Sequence, residues 1–241
     1  MRKLNSVLMA AGLLAAAAAA QADVIYSNGP VVGSSGYSVI DPNTTTYGLG
    51  ANFAAGVRVA EDFTVAAGQT WNIQSINFFS YQTGATSFPL TSATWSIVSG
   101  DINTGTVVAS GTTALTSNGL VGYRVASGAT DTARAIWSAN ADVADFSLSG
   151  GSYWLTWSLS GSASFTGPWV PPTSDGVAGN AMQDVNTGLF TTAVDSSTGA
   201  TFTLPFVLNG TVAAVPEPAE VTMLLAGLGV LALMRRRQTR G

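Results

Sequence analysis

The chain has 241 residues, of which 46% are hydrophobic and 9% are charged, and its formal net charge is −4. It contains no cysteine and no histidine, which excludes a thiolate nucleophile, a cysteine-ligated metal site and the commonest general base. Six of the nine basic residues lie near the two ends, so residues 23–214 carry a net charge of −8, which excludes nucleic acid as a partner.

The first 22 residues predict a secretory signal peptide. Arg2 and Lys3 provide a positive start, and residues 7–20 form an apolar, alanine-rich run. Ala20 and Ala22 flank Gln21 in the small-x-small pattern of a cleavage site, so we expect the mature chain to begin at Asp23. This prediction makes the protein an exported one.

Residues 23–214 have a hydrophobic period of two, which favours strands over helices. Tyr153, Leu155 and Trp157 alternate with smaller or polar residues, as in a half-buried strand. By the same pattern, strands are predicted at residues 24–26, 37–40, 57–65, 71–79, 94–98, 106–111, 121–125, 135–143, 152–159 and 202–212. A change of phase between Ile73 and Ile76 predicts a β-bulge near Gln74 and Ser75.

Turn signals separate most of these strands, and no segment shows a helical stripe of ten or more residues. The signals are Ala67-Gly68, Asn103-Thr104-Gly105, Asn118-Gly119, Ser127-Gly128, Gly150-Gly151 and Asn209-Gly210. Short strands with closely spaced turns predict one all-β domain over residues 23–214, an antiparallel β-sandwich of jelly-roll type.

Paired carboxylates are the first candidates for chemistry, because glycosidases use two of them. Glu61 and Asp62 are neighbours on a predicted strand, so their side chains point to opposite faces and cannot converge. Asp142 and Asp145 flank a predicted turn, where aspartate commonly caps a backbone amide. We therefore predict no catalytic residues and no enzyme activity.

Calcium is the one cofactor that the sequence keeps open. Residues 101–105, Asp-Ile-Asn-Thr-Gly, place oxygen ligands at alternating positions, as in part of a calcium loop. The full ligand set and the closing glutamate are missing, and a hairpin turn explains the pattern equally well.

Two tryptophans are candidates for sugar binding. Trp154 is out of phase with its core-facing neighbours, so it faces outward or lies under a loop. Trp169 lies in the proline-rich segment Gly167-Pro168-Trp169-Val170-Pro171-Pro172, and Asn180 and Gln183 offer amides of the kind that accompany aromatic sugar sites. The alternative is that Trp169 closes one end of the sandwich.

The last 27 residues have three parts, each with a different physical property. Pro216, Glu217 and Pro218 favour an exposed, extended segment that an enzyme could bind. Residues 221–234 are apolar and predict a short transmembrane helix, and Arg235, Arg236 and Arg237 would hold its end in the cytoplasm, followed by Arg240. The predicted domains are thus 1–22, 23–214 and 215–241.

This tail resembles the PEP-CTERM sorting signal of Gram-negative bacteria, which the membrane protease exosortase processes. The resemblance implies a transient stay in the inner membrane through the C-terminal helix, followed by release to the cell surface or the extracellular matrix. The same tail signature also carries a label that mentions ice-binding proteins.

The body resembles a β-sandwich domain recurrent among PEP-CTERM proteins, which implies no catalytic residues. The resemblance is carried by Ala60-Glu61-Asp62-Phe63-Thr64-Val65, Gly68-Gln69-Thr70-Trp71-Asn72-Ile73, Gly151-Ser152-Tyr153-Trp154-Leu155, residues 166–172, Gly179-Asn180-Ala181-Met182-Gln183 and residues 204–210.

Three functions follow from these expectations. The first is a non-enzymatic cell-surface or extracellular-matrix protein. The second is a carbohydrate-binding module of an extracellular polysaccharide matrix, acting through Trp154 and Trp169. The third is an ice-binding adhesin, which would need a flat array of threonines; the Thr-x-Thr spacing appears cleanly once, at Thr201 and Thr203.

Overall fold

A computed structural model describes residues 23–40 and 44–214 of the chain. The predicted signal peptide, sorting tail and terminal helices lie outside the described residues. No helix among the described residues has both the length and the apolar character needed to cross a bilayer. The described part forms a short 3-10 helix, Phe53–Ala55, and strands β1 Asp23–Ser27, β2 Tyr37–Val39, β3 Leu49–Gly50, β4 Val57–Thr83, β5 Leu90–Ser99, β6 Thr106–Val125, β7 Ala135–Gly161, β8 Thr166–Val170, β9 Met182–Val185, β10 Thr191–Thr192 and β11 Phe206–Ala214.

Strands β4 and β7 are each 27 residues long and pair with each other along almost their whole length. Their register shifts between the pairs Val65–Gly151 and Thr70–Ser149, so residues 66–69 are left without partners in β7. At this point, which we call the corner, both strands fold over. Their two halves therefore belong to opposite layers of a sandwich.

Each layer is built around one half of this pair. In the first, the order is β1, β11, the second half of β4, the first half of β7, the second half of β6, and β2. In the second, the order is β10, β9, the first half of β4, the second half of β7, β5, and the first half of β6. The pairing of β2 with β6 is parallel, so the sheet is mixed, whereas the sequence predicts antiparallel pairs.

Aromatic rings fill the space between the layers. The rings of Phe63 and Trp71, which lie on either side of the corner, stack with centroids 6.1 Å apart, and those of Phe78 and Trp157 lie 5.7 Å apart. Burial of such rings is the main driving force for closing the sandwich. The prediction of an all-β sandwich is confirmed.

The bulge predicted near Gln74 and Ser75 is confirmed, because the register of β4 against β7 shifts between Ile73 and Ser75. Four predicted turns are wrong, because Ala67-Gly68 and Gly150-Gly151 lie within β4 and β7 and the other two also lie within strands. Asn118-Gly119 and Asn209-Gly210 lie inside β6 and β11, and each marks a register shift. Gly210 is required there for close packing, since a Cβ atom would overlap the carbonyl oxygen of Asn72.

The folded-over strands give the sandwich two distinct ends. The corner lies at one end, and Val57 and Tyr81, on the two halves of β4, lie at the other. At roughly 3.3 Å per residue, the distance from Val65 to Val57 is about 26 Å. The two far ends meet, because a Cβ placed on Gly50 would lie 3.6 Å from both Val57 and Trp169, and Trp169 pairs with Tyr81.

Candidate functional site

A groove of about 390 Å³ opens at the end of the sandwich that is remote from the corner. Its walls come from β3, β4, β8, β9 and the 3-10 helix, and include Asn52, Val57, Trp169, Gln183 and Val185. Trp169 and Gln183 are separate candidates in the sequence, and the structure brings them to one surface.

Trp169 is positioned by β8, which pairs on one side with β3 and on the other with β4. One part of its side chain packs against a small core cluster that includes Phe79 and Ile136, and the Oγ of Ser80 donates to its carbonyl oxygen at 2.9 Å. The ring is therefore half-buried and also lines the groove. It closes the end of the sandwich and still presents aromatic surface to a ligand.

Two amide side chains are held in place around the ring. Nε2 of Gln183 donates to the carbonyl oxygen of Gly50 at 2.9 Å, and Nδ2 of Asn52 donates to that of Gly167 at 2.8 Å. Each bond uses one of the two amide hydrogens of its side chain. Pre-positioned amides beside an aromatic face are the usual means of recognising a sugar ring.

Gly50 determines the depth of the groove. A Cβ atom built on it would lie 3.6 Å from Cζ3 of Trp169 and 3.7 Å from Nε2 of Gln183, which is ordinary van der Waals contact. The absence of a side chain at position 50 thus leaves the space between the ring and the amide open.

Trp154 and Asn180 do not line this groove. Trp154 lies half-buried on the outer side of β7 and packs against a cluster that includes Ile102 and Phe190, which lie in the loops after β5 and β9. Asn180 is exposed in the segment before β9. Of the four candidate residues, the structure therefore joins Trp169 and Gln183.

Glu61, which the sequence offers only as one member of a carboxylate pair, is a buried carboxyl. It is 2% exposed, and its Oε2 accepts a hydrogen bond from the backbone N–H of Leu204 at 2.7 Å. Burial raises the pKa of Glu61 to about 8, although the Leu204 hydrogen bond works in the opposite direction. The signal was present in the sequence, since Glu61 shares its phase with Val59 and Phe63, which both face the core.

Arg124 is a second buried ionisable group, and the sequence analysis does not identify it. It is 2% exposed and donates to the carbonyl oxygens of Tyr47, Val39 and Thr46 and to the hydroxyl of Ser38. Burial lowers the pKa of Arg124 to about 10, so it stays charged at neutral pH. Its role is to fasten the segment around β2 to β6.

Three aspartates share a turn pattern, Asp-x-x-Thr-Gly, at Asp101, Asp184 and Asp195. In each, the carboxylate accepts hydrogen bonds from the backbone N–H and the hydroxyl of the threonine three residues later. At Asp101 these bonds, with a third from the N–H of Asn103, form the hairpin turn between β5 and β6. The described residues contain no cluster of three or more acidic groups that could hold a metal ion.

The position expected for Asp142 and Asp145 is wrong, since both lie within β7 and do not flank a turn. They sit opposite the bulge of β4, where the partners of Ile73 and Ser75 are Phe146 and Asp142. The bulge leaves an extra length of β7 that resembles a turn in the sequence. Asp145 accepts from the side-chain amide of Gln74 at 3.3 Å.

The structure places the two ends of the described chain on neighbouring strands. Asp23, the expected first residue of the mature chain, begins β1, and Ala214 ends β11. Pro216 to Pro218, Arg235 to Arg237, Ala20 and Ala22 lie outside the described residues.

Comparison with known proteins identifies the tail. Residues 214–238 match the family described as the PEP-CTERM protein-sorting motif, a match that does not extend over the sandwich. No curated protein has a sequence that matches the chain. The chain thus carries a PEP-CTERM sorting signal, which makes it a protein exported through the membrane to the cell surface and processed by exosortase.

Proposed function

We propose that this chain is a non-enzymatic protein of the cell surface or extracellular matrix of a Gram-negative bacterium. The observation that carries the proposal is the sorting motif at residues 214–238, directly after the last strand of the sandwich. The candidate carboxylate pairs support a non-catalytic role: Glu61 is buried in the core while Asp62, the next residue, is half-exposed, and Asp145 is hydrogen-bonded within its own sheet.

Replacing both Pro216 and Glu217 with alanine should block processing, because the extended, charged recognition element is lost. We expect the native protein, recovered from the extracellular fraction, to have an intact mass that runs from Asp23 to a residue near Pro218. The double variant should stay in the membrane fraction with a mass that reaches Gly241. A native protein that retains its residues up to Gly241 would contradict the proposal and make the tail a permanent anchor.

The second candidate function is binding of a matrix polysaccharide in the groove. It is favoured by the meeting of Trp169 and Gln183 in one concave surface, with Gly50 leaving space between them. Ice binding has weaker support. Thr201 and Thr203 lie outside the long strands, and the hydroxyl of Thr203 donates to the carbonyl oxygen of Val177.

Trp169→Ala should weaken retention of the protein in a gel containing the exopolysaccharide of the producing strain. Loss of a stacked ring costs about 1.5 kcal/mol, which corresponds to roughly tenfold in affinity. Affinity electrophoresis measures this change, and a thermal melt shows whether the sandwich is still folded.

One control variant and one further groove variant complete this experiment. Trp154→Ala removes a tryptophan outside the groove and should leave retention unchanged. Gly50→Ala adds one methyl group in ordinary contact with Trp169 and should reduce retention without lowering the melting temperature. Undiminished retention of a folded Trp169→Ala protein would exclude the groove as the binding site.

A further inference from the structure

We propose that the corner end of the sandwich faces the lipid bilayer while the tail is still inserted, so that the groove at Trp169 points away from the membrane. The proposal rests on delivery through the C-terminal tail, and it is independent of what the groove binds. The surface concerned comprises the corner, residues 66–69, together with the start of β1 and the end of β11.

The pairing of β1 with β11 brings the two chain ends to this surface. The strands are antiparallel, and Asp23 lies opposite Gly210. β1 therefore starts toward the end of the sandwich at which β11 finishes. Ala214 itself pairs with Gln69, at the corner. The described chain consequently joins the predicted signal peptide and the predicted sorting tail toward one end of the sandwich.

The connection from Ala214 to the predicted transmembrane helix is too short to let the domain stand on its opposite end. Six residues, 215–220, separate Ala214 from the apolar run that starts at Val221. Fully extended, they span at most about 20 Å. Standing the sandwich upright on its opposite end would place Ala214 about 26 Å from the bilayer surface, which is farther than the connection can span.

The surface chemistry of the corner suits a lipid surface better than that of the remaining body does. The exposed residues of the corner and of the neighbouring parts of β7 and β11 are uncharged, namely Ala66, Ala67, Gly68, Gly150 and Val212, and the exposed Asp23 lies farther from the corner, opposite Gly210. Residues 23–214 as a whole carry a net charge of −8, which anionic headgroups repel. A neutral tip allows the domain to approach a bilayer at this end without that repulsion.

Single cysteines provide the test, because the chain has none of its own. Ala67→Cys marks the corner, and Ala55→Cys, another exposed alanine, marks the rim of the groove. Each full-length variant is labelled with a donor fluorophore and inserted into vesicles of phosphatidylethanolamine and phosphatidylglycerol that contain an acceptor-labelled lipid. Energy transfer from position 67 should be at least about twofold more efficient than from position 55, which lies about 26 Å farther along the sandwich.

Each other outcome overturns the proposal at a known step. Equal or reversed transfer, in protein that floats with the vesicles, would show that the tail inserts but does not orient the domain. Failure to float with the vesicles would show that the tail does not anchor the chain, which overturns the orientation and the delivery step together. Loss of polysaccharide binding in Trp169→Ala affects neither result.

Discussion

Raising the pH from about 5 to about 8 is expected to destabilise the folded protein. Burial raises the pKa of Glu61 to about 8, whereas the same carboxyl in the unfolded chain has its ordinary value near 4.5. Between these values the folded state binds one more proton than the unfolded state, so the free energy of unfolding falls as pH rises. The slope is at most about 1.4 kcal/mol per pH unit. Denaturant unfolding at a series of pH values measures it.

Glu61→Gln should remove this slope, because glutamine keeps the shape and the acceptor for Leu204 N–H but has no proton to lose. Asp142→Asn, which removes an exposed carboxylate from β7, should leave the slope unchanged. A wild-type protein whose stability is constant between pH 5 and 8 would show that Glu61 titrates normally and is not buried as the structure has it.

The sandwich could be predicted because its strands obey a simple alternation. Tyr153, Leu155 and Trp157 all face the core, and the change of phase around Gln74 corresponds to a real shift in register. Both signals depend only on residues close together in the sequence, since successive side chains of a strand point to opposite faces of the sheet.

The folding-over of β4 and β7 could not be predicted in the same way. Ala67-Gly68 and Gly150-Gly151 have the composition of hairpin turns, yet they lie opposite each other in two strands that continue beyond them. A corner and a turn both need small residues and glycine, so composition does not distinguish them. The difference lies in the pairing of distant residues, Val65 with Gly151 and Thr70 with Ser149.

The groove depends on long-range pairing to an even greater degree. Trp169 meets Gly50 because β8 pairs with β3, and Gln183 meets both because β9 pairs with the start of β4. None of these pairings leaves a local mark in the sequence. The buried acidic groups differ from the groove in this respect. The phase of Glu61 and the repeated Asp-x-x-Thr-Gly pattern are both visible in the sequence.

Glu61 and Asp195 make the free energy of unfolding change with pH in opposite directions, and they do so over different pH ranges. Burial alone would raise the pKa of Asp195, but hydrogen bonds from Thr45, Thr46, Ser197 and Thr198 outweigh it and hold that pKa below its ordinary value. Its contribution is present above the ordinary value of a carboxyl and is lost as pH falls toward the folded value. With Glu61 acting at higher pH, the most stable folded state is expected near pH 4 to 5.

Asp195→Ala is expected to destabilise the protein by about 2–4 kcal/mol, the cost of leaving several buried donors without their charged partner. The side chain is 1% exposed and ties two distant segments together. It accepts from Thr45 N–H at 2.7 Å and Thr46 Oγ1 at 2.8 Å, and from the N–H groups of Ser197 and Thr198 at 3.0 Å each. Urea unfolding at neutral pH measures the loss.

Asp101→Ala is the matched control, because it has the same Asp-x-x-Thr-Gly turn but is exposed and bonds within its own loop. It should be much less destabilising, since water replaces the lost acceptor. Asp195→Asn should fall between the two, because the amide keeps one acceptor oxygen but turns an NH₂ group toward donors. Equal effects of the two alanine variants would show that the turn itself matters and the tie to residues 45 and 46 does not.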